Sequence, residues 1–221
     1  MPRCRELREY RCTLHLEAYA WRRGWHLVAG TDEAGRGALL GPVYAAAVIL
    51  DPERPIPGLD DSKKLTPAER EELAAEIYAK ARAWCVASVS AVEVDRLNIY
   101  QASRQAMLRA LAGLRPKPQY ILTDAMPLSP NGTHPLGVPF SAIVHGDARS
   151  GSIAAASILA KVARDAQMRD LDRLYPRYGL AQNKGYGTAE HLQALRRWGP
   201  CPEHRKTYGP VKSCLQPLFP A

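Results

Sequence analysis

Gly30-Thr31-Asp32-Glu33-Ala34-Gly35-Arg36-Gly37-Ala38-Leu39-Leu40-Gly41-Pro42 is the stretch around which the chain is organised. It leaves an apolar segment at Leu27 and Val28 and enters another that runs from Val43 to Leu50. Two adjacent acids therefore sit between two expected strands, near 26–32 and 43–50, beside a glycine-flanked arginine. Acids next to core strands are costly to keep charged without a partner. A hard cation such as Mg²⁺, which takes carboxylate oxygens, is the usual solution. Successive strand side chains face opposite ways. Asp32 and Glu33 therefore share one metal site only if the strand ends or bends there. Gly35 and Gly37 supply that freedom and leave the backbone bare for a ligand.

Outward from this stretch the chain alternates strand and helix patterns. Val43–Leu50 is almost continuously apolar, which suits a strand covered on both faces. Asp51–Asp60, with Pro52, Pro55, Pro57 and Gly58, reads as a loop. Thr66-Pro67-Ala68-Glu69 carries an N-cap, a first-turn proline and a capping-box glutamate. Leu73, Ile77 and Ala81 then form one apolar helix stripe, read as core. A strand is expected over 83–91 and a helix over 98–113, with Ile99, Ala102, Ala106 and Ala110 inward. Tyr120–Asp124 is a short strand ending in an acid, and carboxyl ends of strands are where sites assemble in open α/β sheets. A loop covers 125–137, and a strand over 138–144 runs into His145-Gly146-Asp147.

The longest helix is expected from Ser152 to about Leu174, with a small apolar first half that suits close packing on a sheet. Within it Asp165 either pairs with Lys161 at i,i+4 or serves as an outer acid near the site. Asn183–Thr188 is a basic, aromatic turn, and Thr188 caps a helix bearing His191, Leu192, Leu195 and Trp198. The proline-rich, basic stretch 199–221 is expected to wrap the surface. Residues 1–24 read as a short helix lying on the domain, with a basic nucleic-acid arm as the alternative. The organisation expected is thus an extension over 1–24, a catalytic domain over 25–175, and a helical C-terminal region with tail over 176–221.

The chain has 221 residues, 46% of them hydrophobic, and a formal charge of +8. A basic chain with a carboxylate cluster fits an anionic polymer held by cations and cut at a metal site; simple solubility is the plainer account of the charge. The five cysteines, Cys4, Cys12, Cys85, Cys201 and Cys214, are scattered and form no C-x-x-C pair. They argue against a zinc site or disulfide framework and fit reduced thiols in the cytoplasm. No apolar run approaches a membrane span, and no export signal is seen.

Asp32, Glu33, Asp124 and Asp147 all fall at or just after expected strand ends. Gathering them is unfavourable, since two unit charges about 4 Å apart repel by on the order of 4 kcal/mol near a protein surface. Divalent metals reverse that sign, and two ions roughly 3.5–4 Å apart support phosphodiester hydrolysis. No G-x-S-x-G elbow or GxxxxGK[ST] loop is present.

The ordered segments 30–37, Asp61-Ser62-Lys63-Lys64-Leu65, Gly146-Asp147, 155–165, Lys184-Gly185-Tyr186-Gly187-Thr188 and His204-Arg205 resemble bacterial ribonuclease HII. The resemblance implies an α/β, ribonuclease H-like fold, with a mixed central sheet flanked by helices and a small helical C-terminal part. It implies cutting of RNA in RNA–DNA hybrids and 5′ of a lone ribonucleotide in duplex DNA, leaving 3′-hydroxyl and 5′-phosphate ends. It places Mg²⁺ or Mn²⁺ in a two-metal site on Asp32, Glu33, Asp124 and Asp147. It puts a backbone reader of the 2′-hydroxyl on Gly35, Arg36 and Gly37, and a junction-sensing tyrosine on Tyr186. Ser62, Lys63, Lys64 and Lys184 would face the substrate.

The chain departs from the family pattern in a longer loop between Asp124 and Asp147 and at three single positions. Ala125 stands where glycine usually follows the third acid, His145 where lysine is usual, and Asn183 where histidine is usual. The related ribonuclease HIII is a rival reading, as is a non-catalytic nucleic-acid-binding module. A monomer is expected, and Gln216-Pro217-Leu218-Phe219 is a weak candidate for a sliding-clamp contact.

Overall fold

Successive residues of Val43–Ile49 face opposite sides of the strand and divide the core into two layers. The computed structural model describes residues 12–129 and 134–215. Five strands, β1 (Val28–Ala34), β2 (Val43–Ile49), β3 (Ala83–Val89), β4 (Tyr120–Asp124) and β5 (Phe140–Ile143), form one sheet in the order β3-β2-β1-β4-β5. β1 pairs antiparallel with β2 and parallel with β4. β2 is antiparallel to β3, and β4 parallel to β5, so the sheet is mixed. Val43, Ala45, Ala47 and Ile49 pack on one face with Ala102, Ala106, Met107 and Ala110 of α4 (Ile99–Gly113). Ala46 and Val48 face the other way, against Ala74 and Ile77 of α2 (Pro67–Lys80) and Ala155, Ala156, Ile158 and Leu159 of α5 (Gly151–Leu174). Both faces are dry, which is why β2 carries no polar alternation.

The approach of α5 to the sheet depends on Gly30. A Cβ placed there would lie 2.1 Å from the main-chain carbon of Ser152. The helix start is held by α1 (His15–Trp21), whose Leu16, Ala20 and Trp21 pack with Val28, Leu122 and Ile153. The buried Glu17 carboxylate accepts from the Ser150 hydroxyl and, at 2.9 Å, from the Ser152 N–H. Residues 1–11, which carry much of the alternative basic arm, lie outside the described residues.

α2 begins with the capping box expected at Thr66 and Glu69. The same device opens α3 (Ala91–Leu97), where Ser90 and Glu93 cap each other reciprocally. This helix replaces the last residues of the strand expected over 83–91 and the unassigned residues that follow. After β5 a short 3-10 turn, Gly146–Ala148, leads into α5. α6 (Leu180–Asn183), α7 (Ala189–Trp198) and α8 (Gly209–Leu215) complete the chain. The stretch after 199 is not wholly on the surface: Cys201, His204 and Arg205 are buried, and Leu40 bridges to His204. Arginine is almost never fully buried without partners, so a basic segment gives no sequence cue to interior placement. No helix among the described residues is long and apolar enough to cross a membrane. Gln216–Phe219 lies outside the described residues.

Candidate active site

The parallel pairing of β1 with β4 runs up to Thr31 opposite Thr123. The next residues, Asp32 and Asp124, thus stand side by side on neighbouring strands at the carboxyl end of the sheet. Asp147 joins them from the 3-10 turn after β5. That turn is tied to the strand end, because the Gly146 N–H donates to Asp124 Oδ1 at 2.7 Å. Ligand oxygens of Asp32, Asp124 and Asp147 all lie within 4.8 Å of one another.

Glu33 is not in that cluster. β1 continues in register with β2 as far as Ala34, so it does not end at the acid pair. Alternation turns Asp32 toward Ser157 of α5. Glu33 still lines the same cleft as Asp32, Asp124, Gly35, Arg36, Gly37, Ser62, Lys63 and Tyr186. Its Oε1 pairs with Arg36 at 3.3 Å, while its buried Oε2 has no hydrogen-bond partner.

Burial is the first cause that raises the carboxyl pKa of Asp32, followed by the charges of Glu33 and Asp124. Burial also raises Glu33 and Asp124, against the counter-pull of Arg36 on the former and the Gly146 N–H on the latter. Lys63 Nζ donates to Asp147 Oδ2 at 3.2 Å. An all-oxygen donor set, three converging carboxylates and an orphaned buried Glu33 oxygen fit a hard divalent cation.

Along the lip of the cleft, Gly35 has φ +95°, and a Cβ there would lie 2.0 Å from Arg164 Nε. Glycine is therefore required both by the backbone and by the buried guanidinium beneath it. Tyr186, 37% exposed, faces Gly37 across the lip, with the position of a Gly37 Cβ 3.9 Å from its Cε1. Ser62 Oγ meets Ser157 Oγ at 3.0 Å behind the acids.

A family model described as Ribonuclease HII matches residues 29–209. The chain belongs to the ribonuclease HII family. A ribonuclease HII from Solibacter usitatus is 51% identical over 205 residues, covering 93% of this chain and 87% of the relative. The crystal structure of a ribonuclease H2 from Pyrococcus horikoshii is similar at TM-score 0.71 and 29% identity, covering 85% of this chain and 96% of that one. A PCNA:RNase HII complex from Archaeoglobus fulgidus is similar at TM-score 0.71 and 28% identity, covering 86% and 98%. As a ribonuclease HII, the protein is a metal-dependent endoribonuclease that cuts the RNA of RNA–DNA hybrids.

Not every residue that the family pattern singles out reaches the acid cleft of this ribonuclease HII. Lys64 Nζ bonds Asp60 at 3.2 Å, and Lys184 Nζ bonds the Ala181 carbonyl at 2.6 Å. Lys184 lines an adjacent basic hollow with Arg70, Arg169 and Lys161. Lys161 borders both hollows and pairs with Asp165 at 2.7 Å. Ala125, where the family usually has glycine, has φ +48°. His145 is likewise left-handed, at φ +55°. Asn183 caps the turn before Tyr186, donating to the Tyr178 carbonyl at 2.6 Å and accepting from Gly185 N–H at 2.8 Å.

Sequence reading gave no role to Arg164 or His191, and knew His204 and Arg205 only as a matching dipeptide. All four are buried. No local pattern marks a residue whose partners lie over a hundred positions away, as Gly41 does from Arg205.

Proposed function

We propose that this ribonuclease HII also cuts 5′ of a single ribonucleotide embedded in duplex DNA, using two divalent ions, Mg²⁺ or Mn²⁺. The observation that carries the reading is the convergence of Asp32, Asp124 and Asp147 within 4.8 Å beside the unpartnered oxygen of Glu33. These four carboxylates would hold the ions. When bound, the ions neutralise the phosphate, raise the acidity of the attacking water and stabilise the leaving oxygen. Water adds to phosphorus, the bond to the 3′ oxygen breaks and that oxygen gains a proton, leaving 3′-hydroxyl and 5′-phosphate ends.

The 2′-hydroxyl distinguishes RNA from DNA. Gly35 and Gly37, on either side of Arg36, leave the main chain of this loop bare at the cleft, which suits the three residues to read it. The partly exposed Tyr186 ring opposite them would stack on the sugar at the ribonucleotide–deoxyribonucleotide junction, a role its nearness to Gly37 supports. Ser62 and Lys63 face the cleft directly, and Lys63 would exchange Asp147 for a substrate phosphate as cations arrive. Lys64 and Lys184 would contact phosphates further along the duplex.

We read 25–175 as the catalytic unit, with 1–24 and 176–221 packed on it, and the protein as a monomer. The archaeal relative's complex with PCNA favours a clamp contact, for which Gln216–Phe219 is the candidate segment in the sequence. The test is digestion of a duplex with one internal ribonucleotide, with and without divalent metal, with analysis of product ends. Metal-dependent 3′-hydroxyl and 5′-phosphate ends at that one site support the reading; an uncut duplex refutes it.

A further inference from the structure

We propose that the buried pair His191–His204 is a positioning unit that sets the Tyr186 main chain against the Gly35-Arg36-Gly37 loop, and so governs discrimination for a lone ribonucleotide. The inference rests on the roles assigned to Tyr186 and that loop above.

Both histidines are buried, at 0% and 1% exposure. The Cys201 N–H donates to His204 Nδ1 at 3.0 Å, and Cys201 Sγ lies 3.2 Å from the same nitrogen. That nitrogen accepts, so the His204 ring proton is on Nε2. His204 Nε2 meets His191 Nε2 at 3.1 Å. His191 Nε2 must therefore accept, which puts the His191 proton on Nδ1. Nδ1 faces the Tyr186 carbonyl at 2.9 Å, and a carbonyl oxygen only accepts. One arrangement of protons satisfies all four ring nitrogens, and it runs from Cys201 N–H to the Tyr186 carbonyl. Burial lowers the pKa of both rings, that of His204 to about 4, so the neutral arrangement persists at ordinary pH.

The other end of the same segment grips the loop. Arg205 donates to the Arg36 carbonyl and to the Gly41 carbonyl, each at 2.9 Å. The Tyr208 hydroxyl donates to the Arg36 carbonyl at 2.6 Å. In the main chain, Arg205 N–H reaches the Leu39 carbonyl at 2.9 Å and Leu39 N–H reaches Gly185 at 2.8 Å. Residues 201–205 therefore touch the carbonyl of the loop arginine and, through two rings, the carbonyl of the facing tyrosine. The Tyr186 ring is 37% exposed and has the Arg164 guanidinium 5.2 Å from its centroid, so its place opposite the loop is set by its backbone together with that one cation. A misplacement of about 1 Å costs heavily in a positioned site. A long hybrid offers ribose at every register, whereas a lone ribonucleotide offers one junction, so its cleavage depends more on this spacing.

The experiment compares kcat/KM on a duplex with one ribonucleotide and on an RNA–DNA hybrid for wild type, His191→Asn, His191→Gln and His191→Leu. Asn places an amide nitrogen near the Nδ1 position, Gln reaches only the Nε2 position, and Leu offers neither. Gln and Leu should lower the single-ribonucleotide to hybrid ratio about tenfold, the worth of one buried hydrogen bond. Asn should stay within about threefold of wild type, although it strands the His204 donor and melts earlier. Ile77→Val, in the distant α2 core, should lower the melting temperature and leave the ratio unchanged. Equal ratios in all variants, or ratios that merely track melting temperature, overturn the inference. If Leu fails to fold, the Asn-against-Gln comparison decides alone. Wild type that leaves the single-ribonucleotide duplex uncut overturns the functional reading and this inference with it. A wild type that cuts there while all variants keep its ratio overturns this inference only.

Discussion

Asp32→Asn should make the metal-free protein more stable while removing its activity. Asp32 is 5% exposed and has the oxygens of Asp124 and Asp147 within 4.8 Å. At that separation and an effective dielectric of about 20, each carboxylate pair repels by roughly 3.5 kcal/mol. Lys63 and the open side of the cleft offset much of this, leaving a net gain of about 1–2 kcal/mol when one charge is deleted. For a chain of this size that raises the melting temperature by roughly 2–8 °C. Asparagine Oδ1 can still accept the Glu33 N–H that Asp32 accepts at 2.7 Å, so the local geometry survives. The sign with pH follows from the raised Asp32 pKa. Below the unfolded carboxyl value, about 4, both states are protonated and the site carries no charge penalty. As pH rises above it, the unfolded chain ionises more readily than the native one, and native stability is lost. The gain from asparagine should therefore be full at pH 8 and absent near pH 4, read by thermal melts in chelator. Added Mg²⁺ or Mn²⁺ should stabilise wild type more than the variant and shrink the gap. A variant no more stable than wild type at pH 8 in chelator, or a gain unchanged near pH 4, would refute the reasoning.

Asp124→Asn should cut hybrid cleavage by at least about 100-fold, since even outer partners of metal ligands cost about 10–100-fold; gel-shift binding of the hybrid should change little. Tyr186→Ala should hurt cutting at a single ribonucleotide by about tenfold more than cutting of a long hybrid, stacking on a base or sugar being worth about 1–3 kcal/mol; equal losses would exclude junction sensing. Ala125→Gly should raise the melting temperature by roughly 2–4 °C, because a left-handed alanine costs about 1 kcal/mol; a lower midpoint would show that the strain is relieved elsewhere. Glu17→Ala should destabilise by about 3 kcal/mol, as it strands the Ser150 hydroxyl and the Ser152 N–H at the start of α5, measured by urea titration.

Much of the architecture was legible because its signals are local. Thr66, Pro67 and Glu69 announce α2 within four residues, and the apolar run of β2 declares two covered faces. α3 carried the same capping signal at Ser90 and Glu93 and was readable by the rule that found α2. The acids were legible as a set through their places at strand ends. Their separate duties were not, since Asp32, Asp124 and Asp147 converge while Glu33 pairs with Arg36 in the same cleft. The lysines mislead in the same way: Lys63 points at Asp147, and Lys64, one residue on, points at Asp60.

By itself the sequence determined the order of strands and helices, the chemical types at the cleft and the glycines that bare its lip. These follow from periodicity, capping and side-chain chemistry, each a property of a few consecutive residues. Only the tertiary structure decided which acids converge, that Arg164 and Arg205 lie inside rather than in solvent, and that His204 speaks to Tyr186 through His191. Those outcomes depend on strand register and helix packing. Both are set by the whole core at once, because a shift of one residue in a strand reverses every side chain it carries.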